Sequence, residues 1–264
     1  MFISLIISTY NWERALTVCL KSVFAQTIQP NEVIIADDGS REETRLLIER
    51  MREKTTIPII HVWHEDKGFR KTLILNQAIL KASFPYIIQI DGDVVLEKHF
   101  IADHLELAES GYFVCGSRVL LGTHLSARLL RSLDNQPLFF KQSVSCVLNS
   151  FRSRILRSFL ARRYGKCNVK RIRGCNMAFW KDDSLKVNGY NESLEMWGQE
   201  DVEFGCRLIH AGTQKKQLKM GGVEFHLHHK LASRANLKFH DEVLEKVMRN
   251  KIAWCENGII KHER

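Results

Sequence analysis

Residues 86–96, Tyr-Ile-Ile-Gln-Ile-Asp-Gly-Asp-Val-Val-Leu, decide the fold of this chain. Their apolar, β-branched beginning predicts a buried strand, and two carboxylates, Asp91 and Asp93, follow where the apolar run stops. Because an aspartate is costly to bury without a partner, two of them at a strand end indicate a divalent cation. The alternative is a hairpin turn, for which Asp-Gly is a common signal. The stretch alone leaves both interpretations open.

Strands and helices alternate in the sequence that leads up to this stretch. Continuous apolar runs predict strands over 2–8, 32–36, 58–63 and 86–90. Apolar residues at helical spacing predict helices between them, among others over 42–53 and 72–82. This alternation is typical of a doubly wound α/β fold with a parallel sheet.

Polar residues follow three of the predicted strands, at the point where each strand ends. They are Ser8, Thr9 and Asn11 after the first strand, Asp37 and Asp38 after the second, and Asp91 and Asp93 after the strand at 86–90. Ligands of open α/β sheets bind beyond the carboxyl ends of the strands, so this grouping predicts a nucleotide pocket. No G-x-G-x-x-G follows the first strand and no G-x-x-x-x-G-K-S/T occurs, which argues against a dinucleotide fold and a P-loop.

Several motifs, in order along the chain, resemble glycosyltransferase family 2, whose members use nucleotide-sugar donors. Those of the first half are Ile6–Asn11, Asp37–Ser40, Gly68–Arg70 with Leu75–Ile79, and Asp91–Asp93. The stretches Arg173–Phe179 and Trp197–Glu203 resemble the acceptor half of galactosyltransferase and N-acetylgalactosaminyltransferase relatives, including chondroitin-type polymerases. The resemblance implies the GT-A fold, which is an α/β, Rossmann-like architecture with a mostly parallel central sheet flanked by helices. It also implies a nucleotide-sugar-binding half at 1–118 and an acceptor-binding half at 119–264 within one continuous domain.

The resemblance assigns roles to the donor half. Asp93 would hold a metal, and Asp91 would contact the ribose, the metal or metal-bound water. Asp38 matches the family position that accepts from N3–H of uracil, and Ser8 matches a backbone contact to the base. Arg70 could also reach the base or the diphosphate, because a guanidinium suits phosphate oxygens.

The resemblance also assigns roles to the second half. Asp201 matches the general base that deprotonates the acceptor hydroxyl in inverting relatives, and we prefer it to Glu200. Trp197 is either a platform for a sugar ring or a core aromatic residue. Gly198 and Asn176, which belong to the same motifs, are expected at the acceptor site.

Three histidines, His226, His228 and His229, lie within four residues. In related families a histidine after the acceptor region completes the metal site, and His226 matches that position, with His229 as the second choice. A ligand set of carboxylate oxygens with one imidazole suits Mn²⁺ or Mg²⁺ better than structural zinc.

The net charge of +9 belongs to one segment. Residues 118–173 contain thirteen Lys or Arg and a single acid, Asp134. Within it, 146–164 could form a basic amphipathic helix that rests on an anionic membrane through Arg152 to Arg173. The alternative is a solvated face packed on the sheet.

Seven scattered cysteines, never spaced C-x-x-C, argue against a disulfide framework and favour a reducing cytosol. The apolar start at 1–7 is too short for a membrane span and lacks the basic region of a signal peptide, so we expect it to be the first strand. The expected location is cytoplasmic, including the inner face of the cell membrane.

Together these features predict an inverting, metal-dependent glycosyltransferase. It would move a hexose or N-acetylhexosamine from a UDP-sugar to a hydroxyl of a bacterial envelope glycan, such as lipopolysaccharide or capsule, free or lipid-linked. One alternative is a sugar-phosphate nucleotidyltransferase, although the Gly-rich, Arg-containing loop of those enzymes does not follow the first strand. The other is a non-enzymatic basic module that binds nucleic acid or membrane; we expect no nucleic-acid partner, because no recognised nucleic-acid fold accompanies the basic run.

Overall fold

A computed structural model describes residues 1–133, 144–145, 147–163, 169, 171–230 and 235–261. The strands in this part of the chain are β1 Ile3–Thr9, β2 Glu32–Asp37, β3 Ile59–Trp63, β4 Tyr86–Asp91, β5 Val94–Leu96, β6 Tyr112–Cys115, β7 Arg118–Leu121, β8 Val144–Ser145, β9 Asn176–Trp180, β10 Gln214–Gln217 and β11 Glu224–His226. The helices are α1 Glu13–Phe24, α2 Glu42–Arg52, α3 Lys71–Lys81, α4 Phe100–Leu107, α5 Thr123–Ser132, α6 Arg154–Arg163, α7 Lys181–Lys186, α8 Glu200–His210 and α9 Leu237–Asn250, with a 3₁₀ turn at Val147–Ser150.

A seven-stranded sheet in the order β10-β6-β9-β4-β1-β2-β3 forms the centre of the molecule. All neighbours pair in parallel except β9, which runs antiparallel to β4 and β6. This arrangement confirms the α/β fold with a mostly parallel sheet. The sheet takes strands from both sides of residue 118, while the predicted division of roles at that residue stays a prediction.

Apolar side chains cover both faces of this sheet. On β1, Ile3, Leu5 and Ile7 point to one layer, which they share with residues of α1, α2 and α4. Ile6 points to the other layer and packs with residues of α3 and α8. Burial on both faces is the reason why the central strands are continuous apolar runs rather than alternating ones.

The parallel register brings the polar strand ends together. Ser8 pairs with Asp91, and Thr9 pairs with Asp37, so β1, β2 and β4 end at the same edge. The chain then leaves the sheet at Gly92, whose N–H donates to the Ser8 carbonyl over 2.7 Å. The Asp-Gly pair is therefore a crossing between two sheets and not a hairpin, because β5 pairs with β11 and not with β4.

A second sheet of four strands, β5-β11-β7-β8, stands beside this crossing. β11 runs antiparallel to β5 with His226 opposite Val94. The Leu227 N–H donates to the Asp93 carbonyl over 2.9 Å, which extends the pairing past the strand ends. The histidine segment is thereby fixed next to the second carboxylate of the Asp-Gly-Asp stretch.

The single helix expected over 146–164 is interrupted. A 3₁₀ turn at Val147–Ser150 is followed by residues 151–153, which belong to no helix, and then by α6, while residues 146 and 164 lie outside the described part. The Ser153 N–H donates to the Met220 carbonyl over 3.0 Å, so the backbone bonds to another segment where a helix would have bonded to itself. The apolar stripe of Leu237, Val243, Leu244, Val247 and Ile252 predicts a final helix over about 236–254. The helix is present as α9 but ends earlier, at Asn250, because Lys251 takes a left-handed conformation.

Asn176 at the start of β9 ties three segments together inside the core. Its Nδ2 donates to the carbonyls of Ser117 and Gly222, both at 2.9 Å, and its Oδ1 accepts from Nε2 of His104 at 2.8 Å. The side chain is completely buried.

Among the described helices, none is long and apolar enough to cross a membrane.

Candidate active site

A cleft of about 900 Å³ opens at the carboxyl edge of β1 and β4. Its walls come from both halves of the chain, since the start of α8 and the segment 226–229 face the ends of β1 and β4 across it. Of the predicted site residues, the cleft is lined by Ser8, Asp38, Asp91, Asp93, Trp197, Gly198, Glu200, Asp201, His226 and His229. Arg70 and Asn176 are not among the lining residues.

Asp93, His226 and His229 form a compact group within the cleft. One ligand atom from each lies within 4.8 Å of those from the other two. Nε2 of His229 is 3.1 Å from Asp93 Oδ2, and Nε2 of His226 is 3.6 Å from Asp93 Oδ1. The two histidines named as first and second choice from the sequence therefore both face the same carboxylate.

The hydrogen bonds of the two imidazoles prepare them for a metal ion. Nδ1 of His226 donates to the Leu227 carbonyl over 2.9 Å, and Nδ1 of His229 donates to the Lys230 carbonyl over 2.8 Å. With a proton on Nδ1, each ring can offer the lone pair of Nε2 to a cation held between the imidazoles and Asp93, and metal-ligating histidines are usually oriented in this way. Asp93 Oδ1 is buried with no hydrogen-bond partner in the described residues, and this orphaned oxygen fits a cation.

Asp91 is engaged differently and lies outside this group. Its Oδ1 accepts from the Ser8 hydroxyl at 2.7 Å and from Nζ of Lys71 at 2.6 Å. Burial would raise the pKa of Asp91, but the Lys71 ammonium and the Ser8 hydroxyl outweigh it and lower the pKa below its ordinary value. Asp91 is consequently a charged, paired carboxylate beside the metal group rather than a member of it.

Asp38, which follows β2, holds the start of α3 in place. The Arg70 N–H donates to both of its oxygens, at 2.9 and 3.2 Å, and Nε2 of His64 lies 2.7 Å from Oδ1. Burial raises the pKa of Asp38, although His64 and the Arg70 N–H oppose the rise. The Arg70 guanidinium itself turns away and donates to the Glu65 carbonyl over 2.6 Å, so Arg70 contributes to the site through its backbone.

Asp201, in the first turn of α8, has one engaged and one unengaged oxygen. Its Oδ2 accepts from the Gly174 N–H at 2.8 Å, while Oδ1 is buried without a hydrogen-bond partner among the described residues. Burial raises the pKa of Asp201 to about 7; Glu200 and Asp91 raise it further, whereas Lys71 and the Gly174 N–H lower it. A base of this pKa with an unengaged oxygen is suited to accept a proton near neutral pH.

Glycine at position 174 is a steric requirement of this arrangement. A methyl group built on Gly174 would overlap the Asp201 carboxylate. The Gly174 carbonyl accepts from Nε2 of Gln89 on β4 at 3.2 Å, and Gln89 Oε1 accepts from the Tyr190 hydroxyl at 3.0 Å. The strand that delivers Asp91 thus also fixes the loop that holds Asp201.

The remaining residues predicted for the acceptor site fall into two groups. Trp197 is 39% exposed at the cleft wall, and Gly198 lies beside it, where a methyl group would overlap the His240 ring. Glu200 Oε2 accepts from the Gly198 N–H at 3.0 Å, so it serves the start of the helix. Asn176 corrects our expectation, because its complete burial and its three hydrogen bonds give it a structural role instead of an acceptor contact.

Lys71 and His64 are site residues that the sequence analysis missed. Lys71 is the first residue of α3. A cation at this position is unfavourable because it lies at the positive end of the helix dipole, and this mismatch could have marked Lys71 as a site residue in the sequence. His64 pairs with Asp38 because β2 and β3 lie side by side in the sheet, and no motif near His64 in the sequence predicts this contact.

The sheet, the acidic strand ends and the carboxylate–imidazole group define a glycosyltransferase of the GT-A class. Residues 4–183 match the glycosyl transferase family 2 profile, and residues 154–230 match that of the N-terminal domain of galactosyltransferase. The chain belongs to glycosyltransferase family 2.

Among curated proteins, the chain is similar to chondroitin synthase of Pasteurella multocida, with 29% identity over 85% of this chain and 24% of that protein. It is also similar to chondroitin synthase of Escherichia coli, at 26% identity over 85% of this chain and 34% of that protein. The chain therefore spans about a quarter to a third of the length of these relatives.

Two solved structures share the fold. The mannosyltransferase PcManGT from Pyrobaculum calidifontis, in complex with GDP-Man and Mn²⁺, superposes with a TM-score of 0.62 at 17% identity, covering 86% of this chain and 57% of that one. TarS 1-349 from S. aureus, in complex with UDP, gives a TM-score of 0.62 at 15% identity, covering 99% of this chain and 67% of that one.

The carboxylate–imidazole group predicts binding of one Mn²⁺ ion. Asp93→Asn and His226→Ala should each weaken Mn²⁺ binding by about 100-fold, because the first removes the negative charge and one carboxylate oxygen of the group and the second removes an imidazole nitrogen. Calorimetric or paramagnetic-resonance titration of the purified protein measures this. His228→Ala is the matched control, since this neighbouring imidazole lies outside the group. Equal affinities in wild type and Asp93→Asn would contradict the assignment.

Proposed function

We propose that this chain is an inverting, metal-dependent glycosyltransferase that uses a UDP-sugar donor, with a hexose or N-acetylhexosamine as the transferred sugar. The acceptor is a hydroxyl of a bacterial envelope glycan, and the proposed location is the cytoplasmic side of the membrane. The observation that carries the proposal is the placement of the Asp93–His226–His229 group and the unengaged Asp201 oxygen on one cleft. The relatives named chondroitin synthase and the UDP complex of TarS support the choice of substrate class.

The donor side would bind the nucleotide at two points. Asp38, already oriented by the Arg70 N–H and His64, accepts from N3–H of uracil through a remaining lone pair. Asp93, His226 and His229 would hold Mn²⁺ or Mg²⁺, which supplies positive charge to the diphosphate as it leaves. Ser8 acts through Asp91, because its hydroxyl fixes that carboxylate at the edge of the pocket.

Asp201 would perform the proton transfer. The acceptor oxygen forms a bond to the anomeric carbon while the bond from that carbon to the diphosphate oxygen breaks, so UDP leaves with the electron pair. The acceptor's proton passes to Oδ1 of Asp201, which has no competing donor among the described residues. Trp197 would carry the apolar face of the acceptor sugar at the cleft wall.

A panel of UDP-sugars tests the reaction class. With Mn²⁺, one donor should be hydrolysed or transferred with release of UDP, and chelator or Asp93→Asn should abolish the release, because the leaving diphosphate loses its counter-charge. Chromatography of the free nucleotide is the measurement. Release of diphosphate from a nucleoside triphosphate would show a nucleotidyltransferase instead, and failure of UDP to bind with Mn²⁺ in a calorimeter would overturn the donor assignment.

The raised pKa of Asp201 predicts a defined pH profile. Since only the ionised carboxylate accepts a proton, kcat/KM should fall about tenfold per pH unit below a pKa of about 7. Asp201→Asn should lower kcat by about 10²- to 10⁴-fold. Glu200→Gln removes a negative charge that raises the pKa of Asp201, so its acidic limb should move to lower pH. An unchanged limb in Glu200→Gln together with activity in Asp201→Asn would point to another base.

The basic segment bears on how the enzyme reaches a lipid-linked acceptor. Arg157 does not face outward as expected from the sequence: it is buried and forms ion pairs with Asp103, at 2.9 Å, and with Glu106. Arg152 pairs with Asp103 at 2.7 Å from an exposed position, and the Arg154 side chain is 82% exposed. Beside these arginines, the outward side carries an apolar ridge made of Phe151, Ile155, Leu156 and Phe159, which are 55%, 85%, 48% and 60% exposed.

The exposed ridge supports membrane contact through apolar side chains. A water-facing helix would bury its large aliphatic and aromatic side chains, whereas here they are exposed next to Arg154, as on a helix that lies in a membrane interface. The surrounding excess of positive charge in 118–173 complements an anionic lipid surface and disfavours a second copy of the same basic segment.

Flotation with phosphatidylglycerol-containing vesicles tests this contact. Wild-type protein should bind and stay bound at 0.5 M salt to an extent of roughly half or more, because buried apolar area is insensitive to screening. Ile155→Ser with Phe159→Ser should lower the partition coefficient at least about tenfold. Leu80→Ser, an exposed leucine on α3, is the matched control. Loss of binding at high salt in wild type, or a ridge variant that alters only the oligomeric state by light scattering, would contradict it.

A further inference from the structure

Residues 195–199 form the tryptophan loop, which presents Trp197 at the cleft wall, and its backbone conformation is unfavourable. Met196, directly before Trp197, has a φ of 69°, in the left-handed region that residues with a side chain rarely adopt. Such a conformation persists only where the surrounding contacts over-determine it. The contacts that hold this loop therefore decide how Trp197 stands in the cleft.

His240 of α9 bonds to the tryptophan loop on both sides of Trp197. Its Nδ1 accepts from the Gln199 N–H at 3.0 Å, and its Nε2 donates to the Glu195 carbonyl over 2.8 Å. Because a backbone N–H can only donate, Nδ1 is the acceptor and the ring carries its proton on Nε2. One imidazole thus uses its single donor and its single acceptor to join the two ends of the loop.

The other contacts between α9 and the loop are weaker. Asn236 donates to the Glu195 carbonyl over 3.5 Å, and Asp241, which is exposed, accepts from Nε2 of Gln199 at 3.2 Å. The His240 side chain, in contrast, is completely buried. Since a polar group left unpaired in the interior costs more than one open to water, the loop depends on His240 more than on the other two residues.

The middle of the loop is attached elsewhere. The Met196 N–H donates to the Phe69 carbonyl over 3.2 Å, and the Gly198 N–H donates to Glu200 Oε2 over 3.0 Å. Neither of these two contacts involves Glu195 or Gln199. Loss of the imidazole would therefore release both ends of the loop while its middle stays attached, and the backbone at Met196 could relax.

We propose that His240 is a positioning residue for the acceptor, which acts by holding Trp197 in its place on the cleft wall. His240 itself is not among the residues that line the cleft, so it acts through the tryptophan loop. The assignment of Trp197 to the acceptor rests on the proposed function, whereas the hydrogen bonds of His240 to the loop do not.

Fluorine NMR of protein labelled with 5-fluorotryptophan tests the position of Trp197 directly. The chain has five tryptophans, and Trp197→Phe assigns the signal of Trp197. His240→Phe keeps a ring of similar size but loses both hydrogen bonds, so the Trp197 signal should shift beyond its linewidth or broaden as Met196 relaxes. The signals of tryptophans on other elements should stay in place: Trp12, Trp63 and Trp180.

Kinetics separates the acceptor from the donor. In His240→Phe, calorimetric UDP affinity with Mn²⁺ and hydrolysis of the UDP-sugar without acceptor should stay within about twofold of wild type, because the donor contacts are untouched. Transfer to methyl glycosides of glucose, galactose and their N-acetylamino forms should lose about 10- to 100-fold in kcat/KM, since a displaced platform misplaces the attacking hydroxyl. If wild type uses none of these acceptors, the NMR result decides.

Matched variants distinguish a hydrogen-bonding role from packing. His240→Asn keeps an acceptor near the place of Nδ1 and His240→Gln keeps a donor near that of Nε2, so each should fall between wild type and His240→Phe. His210→Phe is the control, because Nδ1 of this imidazole on α8 donates to the Ile252 carbonyl over 2.9 Å and not to the tryptophan loop. Thermal unfolding compares the stability of all variants.

Gly198→Ala provides a second approach if His240→Phe does not fold. The added methyl group would overlap the His240 ring, so it should displace the same hydrogen bonds without removing the imidazole. The Trp197 signal should shift in this variant as well.

The results that would overturn the proposal are separable from failure of the proposed function. An unshifted Trp197 signal in His240→Phe and Gly198→Ala, or an equal shift in His210→Phe, would show that His240 does not position Trp197. Equal losses of hydrolysis and transfer would remove the acceptor role while leaving the enzyme class intact. Absence of UDP release from every UDP-sugar in wild type would remove the proposed function, and the Trp197 signal would still report on His240.

Discussion

The structure depends on bringing several carboxylates to one edge of a sheet, where they repel each other and lose water. Each aspartate at a strand end has its own cationic or imidazole partner: Asp37 with His61, Asp38 with His64, Asp91 with Lys71 and Asp93 with His229. Among the described residues, Asp201 accepts a hydrogen bond only from a backbone N–H, and burial raises its pKa to about 7. Two carboxylates of the same chemical type thus acquire different properties: Lys71 and Ser8 lower the pKa of Asp91 against the effect of burial, whereas burial dominates at Asp201 and leaves it able to take up a proton near neutral pH.

The two halves of the cleft are linked through β4. The last residue of β4 is Asp91. Gln89, two residues earlier, donates to the Gly174 carbonyl, and the N–H of Gly174 donates to Asp201. The loop at Gly174 has no room for a side chain, so the Gly174 backbone lies between Gln89 and Asp201 and bonds to both side chains. Such a frame suits a reaction in which bond formation and bond breaking occur at one carbon, because small displacements of the reacting groups are costly.

Local patterns in the sequence were sufficient for the fold, and they named most of the residues that the structure brings to the cleft. The apolar runs ending in aspartates at 37–38 and 91–93 predicted strands and their polar ends, because a strand buried on both faces has an unmistakable composition. Asn176 was misassigned, since its neighbours His104 and Gly222 come from distant segments and its burial cannot be deduced from a motif. The inward direction of Arg157 depends in the same way on Asp103, more than fifty residues earlier in the chain.

The order of strands in the central sheet has a consequence for synthesis of the chain. β4 lies between β1 and β9, so one of its edges stays unpaired until residues 176–180 have left the ribosome, and β10 joins later still. An unpaired apolar strand edge is open to pairing with other chains. The nascent first half therefore passes through an interval in which it is aggregation-prone, and truncation before β9 would leave it permanently in that state.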